Sequence, residues 1–246
     1  MDPVSVIAVI PARYGSTRLP GKALADVSGV PMVVRVWRQA SRARFLTRVI
    51  VATDDDRIAS VVREAGGVAE MTASTHQSGT DRIAEVARRI PADIYLNVQG
   101  DLPFIAPEDL DALATPMRAD SSIQMGTLAT PIVDTAEWNN PNVVKVVCDE
   151  RGDALYFSRS SIPFSRDGGA VPSCALRHIG VYGYRRDFLF EFASWPPGRL
   201  ESIEKLEQLR VMERGYRIHV VSSVAPSLEV DTPDDLGRAN AVKETR

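Results

Sequence analysis

A chain of 246 residues with 44% hydrophobic content can bury one large α/β core or two small ones, and nothing in it forces a division. Its formal charge of −3 excludes the broadly basic surface that nucleic acid requires, so clustered Arg and Lys point instead to a small anionic ligand. Two cysteines, Cys148 and Cys174, with no CxxC pair and no His cluster, exclude a disulfide framework and a zinc site.

The opening "MDPVSVIAVIPAR" lacks a basic start and a long apolar run, so neither a signal peptide nor a membrane span is expected and the chain reads as cytoplasmic. Strand-length apolar runs then alternate with helix-period segments: "SVIAVI" at 5–10, a helix near 31–43, "RVIVAT" at 48–53, helices near 56–65 and 80–90, and "IYLNV" at 94–98. Nearly continuous apolar strands separated by helices form a parallel sheet covered on both faces. A doubly wound, mostly parallel α/β sheet is therefore expected, with its ligand at the carboxyl ends of the strands. From about 123 to 184, closely spaced pieces ("QMGTLATPI", "NVVKVVCD", "ALYFS", "HIGVYGYR") predict an antiparallel excursion within a single domain spanning 1–246. "ESIEKLEQLRVMERG" at 201–215 predicts one helix, with apolar residues at 203, 206, 209 and 212 and Gly215 as its stop.

The first strand runs into "ARYGSTRLPGK", which places Arg13, Arg18 and Lys22 among glycines and suggests a seat for phosphate. It is not a Walker A loop, because Gly15 and Gly21 enclose five residues and Ala23 follows the lysine where Ser or Thr is needed. With no hydroxyl there for magnesium, carboxylates from elsewhere must hold the metal. Asp101, in "NVQGD" after an apolar strand, and Asp231, in "LEVDTPDDL", are the candidates, although Asp-Thr-Pro-Asp also reads as a helix cap. "HQSGTDR" sets Gln77, Ser78, Thr80, Asp81 and Arg82 around Gly79, a mixture that serves a base edge or a helix N-terminus equally. Arg159 sits at a strand end, and His178 and Tyr182 lie along another strand, where His178 alone reads as a core histidine.

Taken together, "IPARYGSTRLPGK", "VIVATDD", "HQSGTDR", "NVQGD", "NPNVVKVV", "ALYFSR", "IPF", "RHIGVYGYR", "LExxExLEQLR" and "VDTPDDL" resemble the CMP-KDO synthetases, the 3-deoxy-manno-octulosonate cytidylyltransferases, in the family's order over nearly the whole chain. The resemblance implies a GT-A-like nucleotidyltransferase fold, a homodimer with 123–184 contributing to its interface, and transfer of CMP from CTP to KDO for lipopolysaccharide biosynthesis, with release of pyrophosphate. It implies that Ala12, Arg13, Ser16, Arg18, Lys22, Gln77, Ser78, Gly79, Thr80 and Gln99 bind CTP, and that Asp101 and Asp231 hold magnesium. Gln99, Arg159, His178, Tyr182, Glu207 and Gln208 then form the sugar-acid site, while Arg13, Lys22, Asp101 and Asp231 carry the catalysis.

The chain departs from the family pattern at Leu102, where an acid is usual, and at "PSLEVD", where Glu229 replaces a Gly-rich approach. Glu229 reads either as an exposed strand-end residue or as a carboxylate returned to the metal region. The segment "RDGGAVPSCALRH" is also short for the family. These departures leave two other readings open: a cytidylyltransferase for a different 2-keto sugar acid (amino-KDO, sialic-type or specialised-metabolite acid), and a non-catalytic CTP-binding regulator.

Overall fold

The computed structural model describes residues 4–16, 19–166, 168, 170–225 and 228–242. Strand β1 (Val6–Ala12) is buried at every position from Val6 to Ile10 and feeds two apolar layers in alternation. Val6, Ala8 and Ile10 face one cluster, and Ile7 and Val9 the other. A strand apolar on both faces belongs in the middle of a sheet that helices cover on both sides.

A short hairpin, β2 (Asp26–Val27) and β3 (Val30–Pro31), leads into α1 (Met32–Ala40). The alternation then continues through β4 (Arg48–Thr53), α2 (Asp56–Glu64), β5 (Val68–Met71), α3 (Gly79–Arg89) and β6 (Ile94–Asn97), close to the expected bounds. The chain goes on through α4 (Pro107–Ala119), β7 (Met125–Pro131), α5 (Thr135–Asn139), β8 (Lys145–Cys148), β9 (Ala154–Ser158) and β10 (Leu176–Arg185). It closes with α6 (Arg186–Ser194), α7 (Arg199–Glu204), α8 (Leu209–Glu213), β11 (His219–Ser222) and α9 (Pro233–Ala241).

The main sheet runs β11-β7-β10-β6-β1-β4-β5, and β10 alone opposes its neighbours on that path. Helices α1, α2 and α4 pack on one face through residues such as Val36, Ile58 and Leu113, whereas α3, α6 and α8 cover the other through Ile83, Phe188 and Leu209. The doubly wound sheet is thus as expected. The chain steps outward from β1 to β4 and β5, then returns to the opposite side of β1 as β6, so a crevice opens between the carboxyl ends of β1 and β6.

One expectation is met in part and another needs correction. The pieces expected over 123–184 do pair antiparallel, β7 with β10, β10 with β8 and β8 with β9, but β7 and β10 belong to the main path of the sheet and only β8 and β9 leave it. Strand β10 spans both regions: Tyr182–Arg185 pairs with β6, and Leu176 and Arg177 pair with β8. The helix predicted at 201–215 is two short helices, broken where Lys205 takes the left-handed φ of 56°. Ile203 is therefore 69% exposed, whereas Leu206 and Leu209 are buried, and Gly215 (φ 78°) still ends the segment. The break sets Glu207 and Gln208 in the turn between the two pieces.

Candidate active site

At the crevice the described residues enclose a cleft of about 290 Å³. Gly100, just past β6, approaches β1 so closely that a Cβ there would stand 3.2 Å from the Pro11 carbonyl oxygen; glycine lets the two strand ends meet. Arg13 and Ser16 line the cleft from the loop after β1, with Arg13 exposed and the Ser16 hydroxyl accepting from the Leu19 N–H at 3.4 Å. Arg18 lies outside the described residues. Gly21 takes φ 67° and opens a tight turn, Lys22–Leu24, that returns Lys22 to the cleft.

Expected on a triphosphate, Lys22 here donates to Asp101 Oδ2 at 2.6 Å and to Asp231 Oδ1 at 2.9 Å. Burial works against its charge, but the two carboxylates prevail and hold the ammonium pKa above the ordinary lysine value. Burial pushes the Asp101 carboxyl above the usual carboxylate range, with Lys22 opposing. The ambiguity at Asp231 is resolved by its neighbours. Thr232 caps α9, accepting from the Asp235 N–H, while the Asp235 carboxylate takes the N–H groups of Thr232 (2.9 Å) and Asp231 (3.1 Å). The Asp231 carboxylate is thus not the cap; it lies on Lys22 and lines the cleft.

The donor set suits a magnesium ion. Asp101 and Asp231 are hard oxygen donors beside a cationic loop, and Asp101 Oδ1 is buried with no hydrogen-bond partner among the described residues. Both readings of Glu229 hold at once: it is exposed, and one of its oxygens lies within 4.8 Å of oxygens from Asp101 and Asp231. Leu102 is 3% exposed and packs into the core, so the position after Asp101 faces away from solvent.

On the opposite wall, Ser78 forms the cap of α3, its Oγ accepting from the Asp81 N–H at 3.1 Å, and Gln77, Ser78 and Gly79 line the cleft as well. Gln77 is exposed and donates to the Thr75 carbonyl at 3.0 Å. Thr80 is buried and donates to Glu207 Oε2 at 3.0 Å, tying this wall to the turn between α7 and α8. Arg82 of the same segment lines the cleft too, as does His76, which sequence reasoning did not place in the site. Arg82 is 4% exposed and held by Thr72 Oγ1 (2.5 Å) and Asp54 (3.3 Å).

Gln99 belongs to the cleft, whereas Arg159, His178, Tyr182, Glu207 and Gln208 do not line it. Of these, His178 and Tyr182 lie on β10, which passes Gln99: a Cβ on Gly180 would lie 3.6 Å from Gln99 Cγ. The His178 and Tyr182 rings are 5.3 Å apart, and Phe157 meets His178 edge-on at 5.1 Å. Glu207 Oε1 and Gln208 Nε2 are buried without hydrogen-bond partners among the described residues, a state that a polar ligand relieves. Burial raises the Glu207 pKa, against the hydrogen bond from Thr80. Arg159 is pinned by main-chain carbonyls, Nε to Glu204 at 2.8 Å and Nη1 to Pro141 at 3.1 Å. Behind it, the buried Lys145 donates to the carbonyls of Asn140 (2.9 Å), Val143 (2.6 Å) and Arg159 itself (2.5 Å).

The sequence profile of the cytidylyltransferase family matches residues 7–218, so the sheet and its cleft are those of a nucleotidyltransferase. The 3-deoxy-manno-octulosonate cytidylyltransferases of Geobacter metallireducens and Geobacter sulfurreducens are 52% and 51% identical to it, over 96% and 95% of this chain and 96% and 97% of theirs. A solved CMP:2-keto-3-deoxy-manno-octonic acid synthetase complexed with CTP has a TM-score of 0.90 at 44% identity, covering 96% of this chain and 97% of that one. The chain belongs to the 3-deoxy-manno-octulosonate cytidylyltransferase family. The family, fold class and enzyme class expected from the motifs are borne out.

Proposed function

We propose that this chain transfers CMP from CTP to the anomeric hydroxyl of KDO, releasing pyrophosphate, and so supplies an activated sugar for lipopolysaccharide assembly. The observation that carries this reading is the Asp101–Asp231 pair, with its orphaned buried oxygen, beside the cationic loop in a chain whose named relatives are KDO cytidylyltransferases.

The reaction forms a bond from the sugar oxygen to the α-phosphorus and breaks the bond to the departing pyrophosphate, so two anions must be brought together. Positioning and cations do most of that work. Arg13 and Arg18 neutralise the triphosphate, and Lys22 shifts from the two aspartates towards the phosphates as they arrive. Gln77, Ser78 and Gly79 flank the nucleoside. Arg159, its plane fixed by two carbonyls, presents its remaining donors to the sugar carboxylate. Magnesium held by Asp101 and Asp231 would supply positive charge at the phosphates and greater acidity at the attacking hydroxyl. No protein nucleophile is required.

Incubating CTP with a panel of 2-keto sugar acids and weighing the products tests the acceptor: CMP-KDO should dominate, and a product only from another acid would overturn that half. Asp101→Asn and Asp231→Asn should each lower kcat at least about 100-fold, or about 2.7 kcal/mol; near-normal turnover in either would refute the metal assignment.

Among the described residues no helix is long and apolar enough to cross a membrane, and we place the enzyme in the cytoplasm, where CTP is found. We also propose a homodimer. An apolar hollow of about 580 Å³ between β8, β9 and the start of β10, flanked by Leu155 (60% exposed), offers the surface for a second copy.

A further inference from the structure

Glu229 lies on the segment that carries Asp231, and a main-chain bond from the Val230 N–H to the Asp101 carbonyl (2.9 Å) holds that segment against the end of β6. Val230 is fully buried, and the carboxylates on either side of it reach the Asp101 side. One oxygen from each of Asp101, Glu229 and Asp231 lies within 4.8 Å of the other two. Opposite ligands across an octahedral magnesium are about 4.2 Å apart, so small side-chain rotations suffice to bring all three onto one ion.

Asp101 Oδ1, buried with no hydrogen-bond partner among the described residues, is a second sign that the cluster is built around a cation.

We propose that Glu229 is a third carboxylate ligand of the divalent-cation site in this chain, so that the ion binds the nucleotide-free protein before any triphosphate arrives. The inference rests on the assignment of Asp101 and Asp231 as metal ligands.

The test is titration of the nucleotide-free protein with Mn²⁺, following the electron paramagnetic resonance signal of the free ion. The wild type should bind one equivalent, and Glu229→Gln, an exposed substitution that leaves the core intact, should weaken binding about tenfold. Unchanged affinity in Glu229→Gln, with binding lost in Asp101→Asn, would overturn the role of Glu229 and leave the Asp101–Asp231 assignment standing. Unchanged affinity in both variants would overturn both. A wild type that takes up Mn²⁺ only after CTP is added would also refute the proposal.

Discussion

His178 shows how burial decides what a residue can do. Its Nε2 lies 2.9 Å from Thr127 Oγ1, and since Thr127 donates to the Val181 carbonyl at 2.7 Å, the imidazole N–H is the donor in the first bond. Burial pushes the His178 pKa down to about 3, so it remains neutral at any pH where the enzyme works, as a hydrogen-bonding group rather than a cation for the sugar acid. The stability consequence has a definite sign. Between the unfolded value of 6.5 and the folded value of about 3, only the unfolded state takes up the proton, so stability present above 6.5 is lost as pH falls. Urea unfolding at pH 7 and pH 5 should show the wild type losing about 2 kcal/mol more than His178→Asn, within the limit of about 1.4 kcal/mol per pH unit. Equal losses would mean that the ring is protonated in the fold.

At the scale of elements, β8 and β9 hold Arg159, the residue proposed for the sugar carboxylate, in place. Lys145 is fully buried where β8 begins, its pKa lowered by burial and by the nearby Arg159 charge, and it survives there because three carbonyls surround its ammonium. One of these carbonyls is that of Arg159 at the end of β9, and Glu204 at the end of α7 grips the same residue from the other side through its N–H at 3.0 Å. Lys145 is therefore a positioning residue. Lys145→Met should raise KM for the sugar acid about tenfold or more with KM for CTP nearly unchanged, and should cost about 2–4 kcal/mol in denaturant unfolding, since it leaves buried carbonyls unpaired. An equal rise in both KM values would reduce Lys145 to a purely structural role.

Across the whole molecule, the cleft is assembled from segments near 13–22, 76–82, 99–101 and 229–231, all delivered to the point where the winding of the sheet reverses beside β1. The second large hollow lies away from it, among Val147, Leu155, Tyr156 and Leu176, and carries both free cysteines on its lining. If a second copy covers that hollow, Leu155→Arg should weaken self-association at least about 100-fold by placing a charge in an apolar contact. Sedimentation equilibrium would read a monomer for the variant and a dimer for the parent; identical behaviour would move the interface elsewhere.

The alternation of continuous apolar runs with helix-period segments was enough to specify a doubly wound sheet, because burial on both faces leaves a strand no polar positions. The loop was informative too: the missing hydroxyl after Lys22 directed the search to carboxylates at strand ends, and Asp101 and Asp231 do meet on Lys22. Local patterns could not reveal what depended on contacts remote in sequence. "ESIEKLEQLR" has the apolar spacing of one helix, yet it breaks at Lys205, and Glu207 and Gln208 enter the turn, where Glu207 meets Thr80. Asp-Thr-Pro-Asp could not say which residue caps and which binds until Asp235 and Thr232 closed the cap between themselves. Sequence alone thus determined the layers of this protein and the family to which it belongs. Which carboxylates meet, Glu229 among them, was decided only by tertiary structure, because the Val230-to-Asp101 bond joins segments that local propensity cannot connect.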